Sequence, residues 1–191
     1  MENSKTTSQK STSGSDKSNF SKKASMKSSQ LMELFEHGLK DIYWAENATL
    51  KAIPKMVEKS TSDDLKDALT AHLEETKGHI SRLDKVFGLI KIKAQGEKCV
   101  AMEGLIKETH DITETCEEGS MRDAGIIAAV QKMEHYEIAT YGTLRQFAET
   151  MDMTEVEALL ATTLQEEKEA DLKLSDVAMD AINVDAAEEA A

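Results

Sequence analysis

The sequence predicts an all-α protein, an antiparallel four-helix bundle with a long crossover that carries a short extra helix. Three observations lead there. Aromatic residues make up 4% of the 191 positions and there is one proline, while Ala, Glu, Lys, Leu and Met fill the body of the chain, a composition that favours helices over sheet. Phe35, Leu39, Ile42, Glu46, Thr49, Ile53 and Met56 follow a 4,3,4,3 spacing, as do Ile126, Val130, Met133, Glu137, Thr140, Leu144 and Phe147, and this is the inward seam of a packed helix. The two runs are also copies of each other, displaced by 91 residues without a gap. Glu46-Asn-Ala-Thr49 recurs as Glu137-Ile-Ala-Thr140, and the same displacement carries Leu69 onto Leu160, Leu73 onto Leu164, Glu75 onto Glu166, Leu83 onto Leu174 and Val86 onto Val177. Two helices are thus repeated as two more.

In chain order, residues 1–28 form a basic Ser- and Lys-rich tail with almost no apolar content, which cannot offset its ordering entropy by burial and is expected to be disordered. The bundle is expected over 29–182. Its first helix runs from near Ser29 to Lys59, with Pro54 predicting a kink or an early end because proline cannot donate to the Leu50 carbonyl. Thr61-Ser-Asp-Asp64 caps a second helix from Asp63 to Phe87, which Gly88 should end. The connection over 88–120 is too long for a tight turn and holds an amphipathic run from Val100 to Cys116, the short extra helix. A third long helix spans Met121 to Thr150, and Thr154-Glu-Val-Glu157 reads as a capping box for a fourth, Glu155 to Ile182. Residues 183–191 should be a frayed acidic end.

The net charge of -13 conceals an asymmetry. The tail holds six Lys against Glu2 and Asp16, leaving 17 basic and 34 acidic residues in the rest. So acidic a body argues against nucleic-acid binding, and no stretch is apolar for long enough to span a membrane. Cys99 and Cys116 have neither the number nor the spacing of a disulfide framework or a thiolate zinc site. The N-terminal residues lack an apolar signal region, which points to the cytoplasm.

The chemistry lies in the seams. Glu46 and Glu137 stand where apolar residues belong, at equivalent steps of the two copies, and the repeat adds Glu75 and Glu166. Counting along antiparallel hairpins puts Glu46 level with Glu75, and Glu137 level with Glu166, each pair roughly 22 Å from its turn at about 1.5 Å per residue. Hairpins packed about a pseudo-twofold axis would bring all four carboxylates to mid-bundle. Ionised there, they would repel one another and be costly to desolvate, so they demand protons or cations. Two divalent ions would neutralise them, and carboxylates with one or two imidazoles suit iron or manganese. His79, four residues after Glu75, and His72, three before it, offer imidazole, although the Glu-x-x-His spacing of bundle di-metal sites is not met, since Gly78 and Glu169 occupy the third positions. Glu134, one turn before Glu137, is a further candidate ligand. On the fourth helix the repeat selects Glu166, whereas the seam Val156, Leu160, Thr163, Glu167, Ala170, Leu174, Val177 selects Glu167; both stay open, with Glu166 preferred.

The segments Asp41-Ile-Tyr-Trp-Ala-Glu46, His72-Leu-Glu-Glu75-Thr, Arg82-Leu-Asp-Lys-Val-Phe87, Lys132-Met-Glu-His-Tyr-Glu137-Ile-Ala-Thr-Tyr-Gly142 and Glu166-Glu-Lys-Glu-Ala-Asp171 resemble the YciE/YciF family of ferritin-like bacterial stress proteins over about residues 29–180. The resemblance implies a ferritin-like antiparallel four-helix bundle with an added short helix, dimerisation and a role in stress response. A more distant similarity to rubrerythrins implies a non-haem di-iron site, onto which Glu46, Glu75, Glu137 and Glu166 map, with Glu134 matching a second glutamate of the third helix. The departure from that pattern is the missing Glu-x-x-His on the second and fourth helices. With no four-cysteine iron module in the sequence, electrons would come from an external donor.

The expected protein is therefore a di-metal carboxylate bundle holding two iron (or manganese) ions through Glu46, Glu75, His79, Glu134, Glu137 and Glu166. It would be cytoplasmic and homodimeric, acting in stress defence with oxygen or peroxide chemistry of the peroxidase-like kind. The alternative is a non-catalytic dimeric stress protein that works through a partner and whose metal site is structural or vestigial.

Overall fold

The computed structural model of the protein describes residues 31–189; the basic tail expected over 1–28, the helix start near Ser29 and the last two residues lie outside the described residues. The elements are α1 (Leu31–Lys59), α2 (Asp63–Leu89), α3 (Val100–Thr115), α4 (Ser120–Thr150), α5 (Thr154–Val177), a π turn (Ala178–Ile182) and α6 (Asn183–Glu188), and the described residues include no strand. α1 and α2 form one hairpin, α4 and α5 the other, and the bundle closes through α1 against α4 and α2 against α5. α3 lies outside, against α4 and α1. None of these helices is long and apolar enough to cross a membrane.

The seam of α1 is buried along its whole length, from Phe35 to Met56, with Glu46 and Thr49 inside it. α2 has a seam of the same spacing: Leu65, Leu69, His72, Thr76, His79, Leu83 and Val86. Each fully buried Leu, Ile or Phe along these stripes contributes about 1.5–3 kcal/mol. In α4 the strict spacing holds only as far as Glu137; beyond it the inward positions are Tyr141, Leu144 and Ala148, and Thr140 and Phe147 are half-buried. A straight helix drifts against a 3.5-residue repeat, so over 31 residues the buried stripe moves by one position.

Several helix ends differ from the sequence expectation for local reasons. α1 runs through Pro54, which lies on the solvent face, where the undonated Leu50 carbonyl can reach water. Gly88 does not end α2. Lys91 takes the left-handed conformation (φ 61°), and the Lys91 and Ile92 amides close onto the Gly88 and Phe87 carbonyls. Asp152 (φ 57°) does the same after α4, with the Asp152 and Met153 amides on the Glu149 and Ala148 carbonyls. Met153, not Thr154, then takes the N-cap position of α5. Thr154 is the first residue of α5, no side chain caps it, and Glu157 instead accepts from Arg145 Nη1 at 2.8 Å. At α2 the cap is Ser62, whose hydroxyl accepts from the Leu65 amide.

Past Ile182 the chain continues helical to Glu188 instead of fraying. The Glu189 carboxylate accepts from the Ser120 and Met121 amides, satisfying the first donors of α4. Gly119 (φ 141°) makes room for it, since a Cβ there would lie 2.6 Å from Glu189 Oε1.

Candidate metal centre

Midway along the bundle the four seams place six ionisable residues face to face: Glu46 of α1, His72 and His79 of α2, Glu134 and Glu137 of α4, and Glu167 of α5. All six are at most 5% exposed. They fall into two groups whose potential ligand atoms lie within 4.8 Å of one another. One is His72, Glu134, Glu137 and Glu167; the other is Glu46, His79 and Glu167. Glu167 belongs to both.

The contacts within the cluster are few for so many polar atoms. His79 Nδ1 lies 2.9 Å from Glu167 Oε1 and 3.4 Å from Glu46 Oε1, and His72 Nε2 lies 3.2 Å from Glu134 Oε1. Tyr141 donates to Glu46 Oε1 at 2.5 Å, and Thr49 donates to Glu137 Oε1 at 3.4 Å. Several of the histidine approaches are within ion-pair distance but off the hydrogen-bonding direction. Among the described residues nine buried side-chain atoms make no hydrogen bond, and every one belongs to these six: Glu46 Oε2, both nitrogens of His72, His79 Nδ1, both oxygens of Glu134, Glu137 Oε2 and both oxygens of Glu167. A buried polar atom left unpaired costs about 1–3 kcal/mol, so nine around one volume mark a place that protons or cations can satisfy together.

Burial pushes the Glu46 carboxyl up and the Glu137 carboxyl well up, the latter also through repulsion from Glu167, Glu46 and Glu134. Glu167 is raised to about 7, again first by burial. Burial works against charge on His79, but the close carboxylates of Glu167 and Glu46 prevail and raise it to about 9. His72 likewise stands well above the ordinary histidine value, because Glu134 outweighs its desolvation. Metal-free, the cluster therefore holds protons near neutral pH.

Of the residues singled out in the sequence, Glu46, His79, Glu134 and Glu137 come together here. Glu75 and Glu166 do not: their side chains are 44% and 29% exposed, at the rim. Each faces the outer side of an imidazole. Glu75 Oε2 lies 3.6 Å from His72 Nδ1, and Glu166 Oε2 lies 3.1 Å from His79 Nε2 while also bound by Arg82 Nη2. The His72 side chain holds the Glu75 carboxyl below its ordinary value. On α5 the seam, not the repeat, selects the inward glutamate, because Thr163 and Glu167 face the core and Glu166 is one step off it. His72, Glu167 and Tyr141 complete what the sequence reading left out of its preferred set. The signal for the first was the α2 seam itself, which passes through His72, Thr76 and His79 and misses Glu75.

The donor set fits a pair of transition-metal ions. Bundle di-metal sites are built from four glutamates and two histidines, and this cluster has four glutamates and two histidines. Their distribution differs, with both imidazoles on α2, seven residues apart, and a Glu-x-x-Glu pair, Glu134 and Glu137, on α4. Oxygen-rich sites with imidazole suit iron and manganese.

Residues 30–187 match the family described as a domain of unknown function, DUF892. The chain is 45% identical to the protein YciF of Escherichia coli K12 over 152 residues, which is 79% of this chain and 92% of that protein. Among solved structures, the E. coli stress protein YciF superposes with a TM-score of 0.77 at 44% identity, covering 80% of this chain and 97% of its own. YcfI from Rhodopseudomonas palustris superposes at 0.75 with 46% identity, covering 78% and 95%. A protein from Xanthomonas campestris pv. campestris shares the fold at 22% identity, with a TM-score of 0.65 over 83% of this chain and 97% of that one.

Proposed function

The chain belongs to the DUF892 family, and within it we propose for this protein a di-metal carboxylate centre of two iron or manganese ions, serving stress defence through oxygen or peroxide chemistry. The observation that carries this reading is the set of nine unpaired buried ligand atoms gathered on six residues, with Glu167 common to both groups. His72, Glu134, Glu137 and Glu167 would hold one ion, Glu46, His79 and Glu167 the other. Glu75 and Glu166 are then carboxylates that orient the two imidazoles from behind, a partnership that fixes which ring nitrogen faces a metal. When bound, such a pair supplies reversible electron transfer to a small oxidant.

The chain's own residues prepare the site in specific ways. The Tyr141 hydroxyl fixes one Glu46 oxygen and leaves the other free, and Thr49 does the same for Glu137. Met133, fully buried on the α4 seam one turn before Glu137, helps exclude bulk water. Cys99 and Cys116 are too few for a four-cysteine iron module, and in this reading electrons come from an external donor. We place the protein in the cytoplasm as a homodimer, in keeping with the family resemblance.

Elemental analysis of protein purified without chelators, beside the Glu46→Ala/Glu137→Ala double variant, tests the centre. Wild type should carry close to two ions per chain and the variant fewer than one. Wild type with no iron or manganese after anaerobic loading would end the proposal. A second reading is favoured by the cluster drawing on α1, α2, α4 and α5 together, as a structural metal would. Metal-loaded protein that consumes no peroxide with any reductant supplied would select it.

A further inference from the structure

Resting on that metal centre, we infer that the cleft between α2 and α5 is the path by which divalent cations reach it, with Asp67 and Glu169 at its mouth concentrating them. The cleft encloses about 420 Å³ and is floored by Val130 of α4. Of the six cluster residues only His72 lines it. That imidazole is 5% exposed and neither nitrogen makes a hydrogen bond, its nearest carboxylates being Glu134 at 3.2 Å and Glu75 at 3.6 Å, so it is a ligand atom pair without hydrogen bonds at the inner end of an opening to solvent. Around the opening stand four carboxylates, Asp64, Asp67, Glu75 and Glu169, against one cation, Lys173.

Concave walls of low dielectric lined by one sign of charge focus the field and raise local counter-ion concentration, accelerating association by about 10- to 1,000-fold. A hydrated cation drawn to Asp67 and Glu169 would pass Glu75 and meet His72 as the first ligand of the group that includes Glu134, Glu137 and Glu167. A larger cavity, about 640 Å³ between α1 and α3, touches none of the six residues, and its lining sets Lys51, Lys55 and Lys59 against Glu58, Glu103 and Glu114. It has neither the destination nor an excess of negative charge.

Stopped-flow uptake of Co²⁺, followed by the visible absorption of the bound ion, tests the path. Three proteins are compared: wild type, Asp67→Lys/Glu169→Lys, and Glu103→Lys/Glu114→Lys, which makes the same change in net charge beside the other cavity. At low ionic strength the cleft variant should take up cobalt about tenfold more slowly or worse, and its rate should no longer fall with added salt. Its final cobalt content per chain should equal that of wild type, and the control variant should keep the wild-type rate. Equal slowing in both variants, or no slowing in the cleft variant, would overturn the path while leaving the metal centre standing. A wild-type chain that takes up no cobalt would overturn the centre itself, and the path with it.

Discussion

Glu167 Oε1 lies 2.9 Å from His79 Nδ1, while the neighbouring Glu166 reaches the opposite nitrogen of the same ring at 3.1 Å. One imidazole therefore separates two consecutive glutamates, one buried and one at the rim, and the two should behave differently on substitution. Glu167→Ala removes the carboxylate common to both groups and should lower Mn²⁺ stoichiometry from two ions per chain to at most one. Glu166→Ala should keep two ions but weaken the one held through His79 by about 10- to 100-fold, the usual effect of losing a carboxylate behind a metal-bound histidine. Calorimetric titration of both variants checks this, and equal losses would show that the inner and outer roles are misassigned.

The bundle was legible because its signal is periodic and long. The α1 seam from Phe35 to Met56 appears in the sequence and is buried throughout. The site was legible only where the seam was consulted. Glu46 and Glu137 interrupt their own seams, and both are buried. Glu75 and Glu166 came from the 91-residue repeat, and the repeat preserves register without saying which register faces inward. On α2 and α5 the two glutamates are equivalent to each other and equally off the seam, whereas the true equivalents at the core are Thr76 and Glu167. The break in symmetry, Thr76 equivalent to Glu167 and His79 equivalent to Ala170, puts both buried histidines on α2 and the buried glutamate on α5.

The metal-free protein should lose stability as pH rises through the range where the cluster gives up its protons. Burial pushes Glu167 up to about 7, against about 4.3 in an unfolded chain. Between those values the folded chain holds a proton that the unfolded chain has released, so stability falls with rising pH across that window. His79 adds to the trend higher up: despite its burial, Glu167 and Glu46 raise it to about 9, so it contributes stability below about pH 6.5 that is lost as pH rises through 9. Urea unfolding of chelator-treated protein at pH 5 and pH 7 should show wild type losing ground to Glu167→Gln. Parallel curves for the two proteins would refute the assignment.

Asp123 ties the first hairpin to the second. From the first turn of α4 its buried carboxylate accepts from the Thr61 amide at 2.8 Å, the Thr61 hydroxyl at 2.7 Å and the Ser62 amide at 2.7 Å, closing the α1–α2 turn. Bonds to a charged acceptor are each stronger than neutral ones, and their removal here leaves turn amides short of a partner. Asp123→Ala should cost about 3 kcal/mol in urea unfolding, and Asp123→Asn less. A cost below that of ordinary surface substitutions, about 0.5 kcal/mol, would rule out a clamp at this position.

Two glycines should respond to alanine with opposite signs. Gly96 lies in the crossover between α2 and α3, where the backbone passes directly over α1: the Glu97 amide donates to the Lys40 carbonyl at 3.0 Å, and a Cβ on Gly96 would stand 2.9 Å from Trp44 Cβ and 3.0 Å from its Cα. A backbone atom cannot swing aside as a side-chain tip can, so Gly96→Ala must lift the crossover or displace α1, at about 1–3 kcal/mol. Trp44 sits two residues before Glu46, so its fluorescence should shift and report the same movement. Gly104 lies inside α3 with nothing within 4 Å of where a Cβ would stand, and its substitution meets no obstacle. Gly104→Ala should stabilise the protein by about 0.5–1 kcal/mol by reducing the freedom of the unfolded chain within a helical segment. Thermal unfolding with tryptophan emission distinguishes the two, and a neutral Gly96→Ala would mean that the crossover does not hold against Trp44.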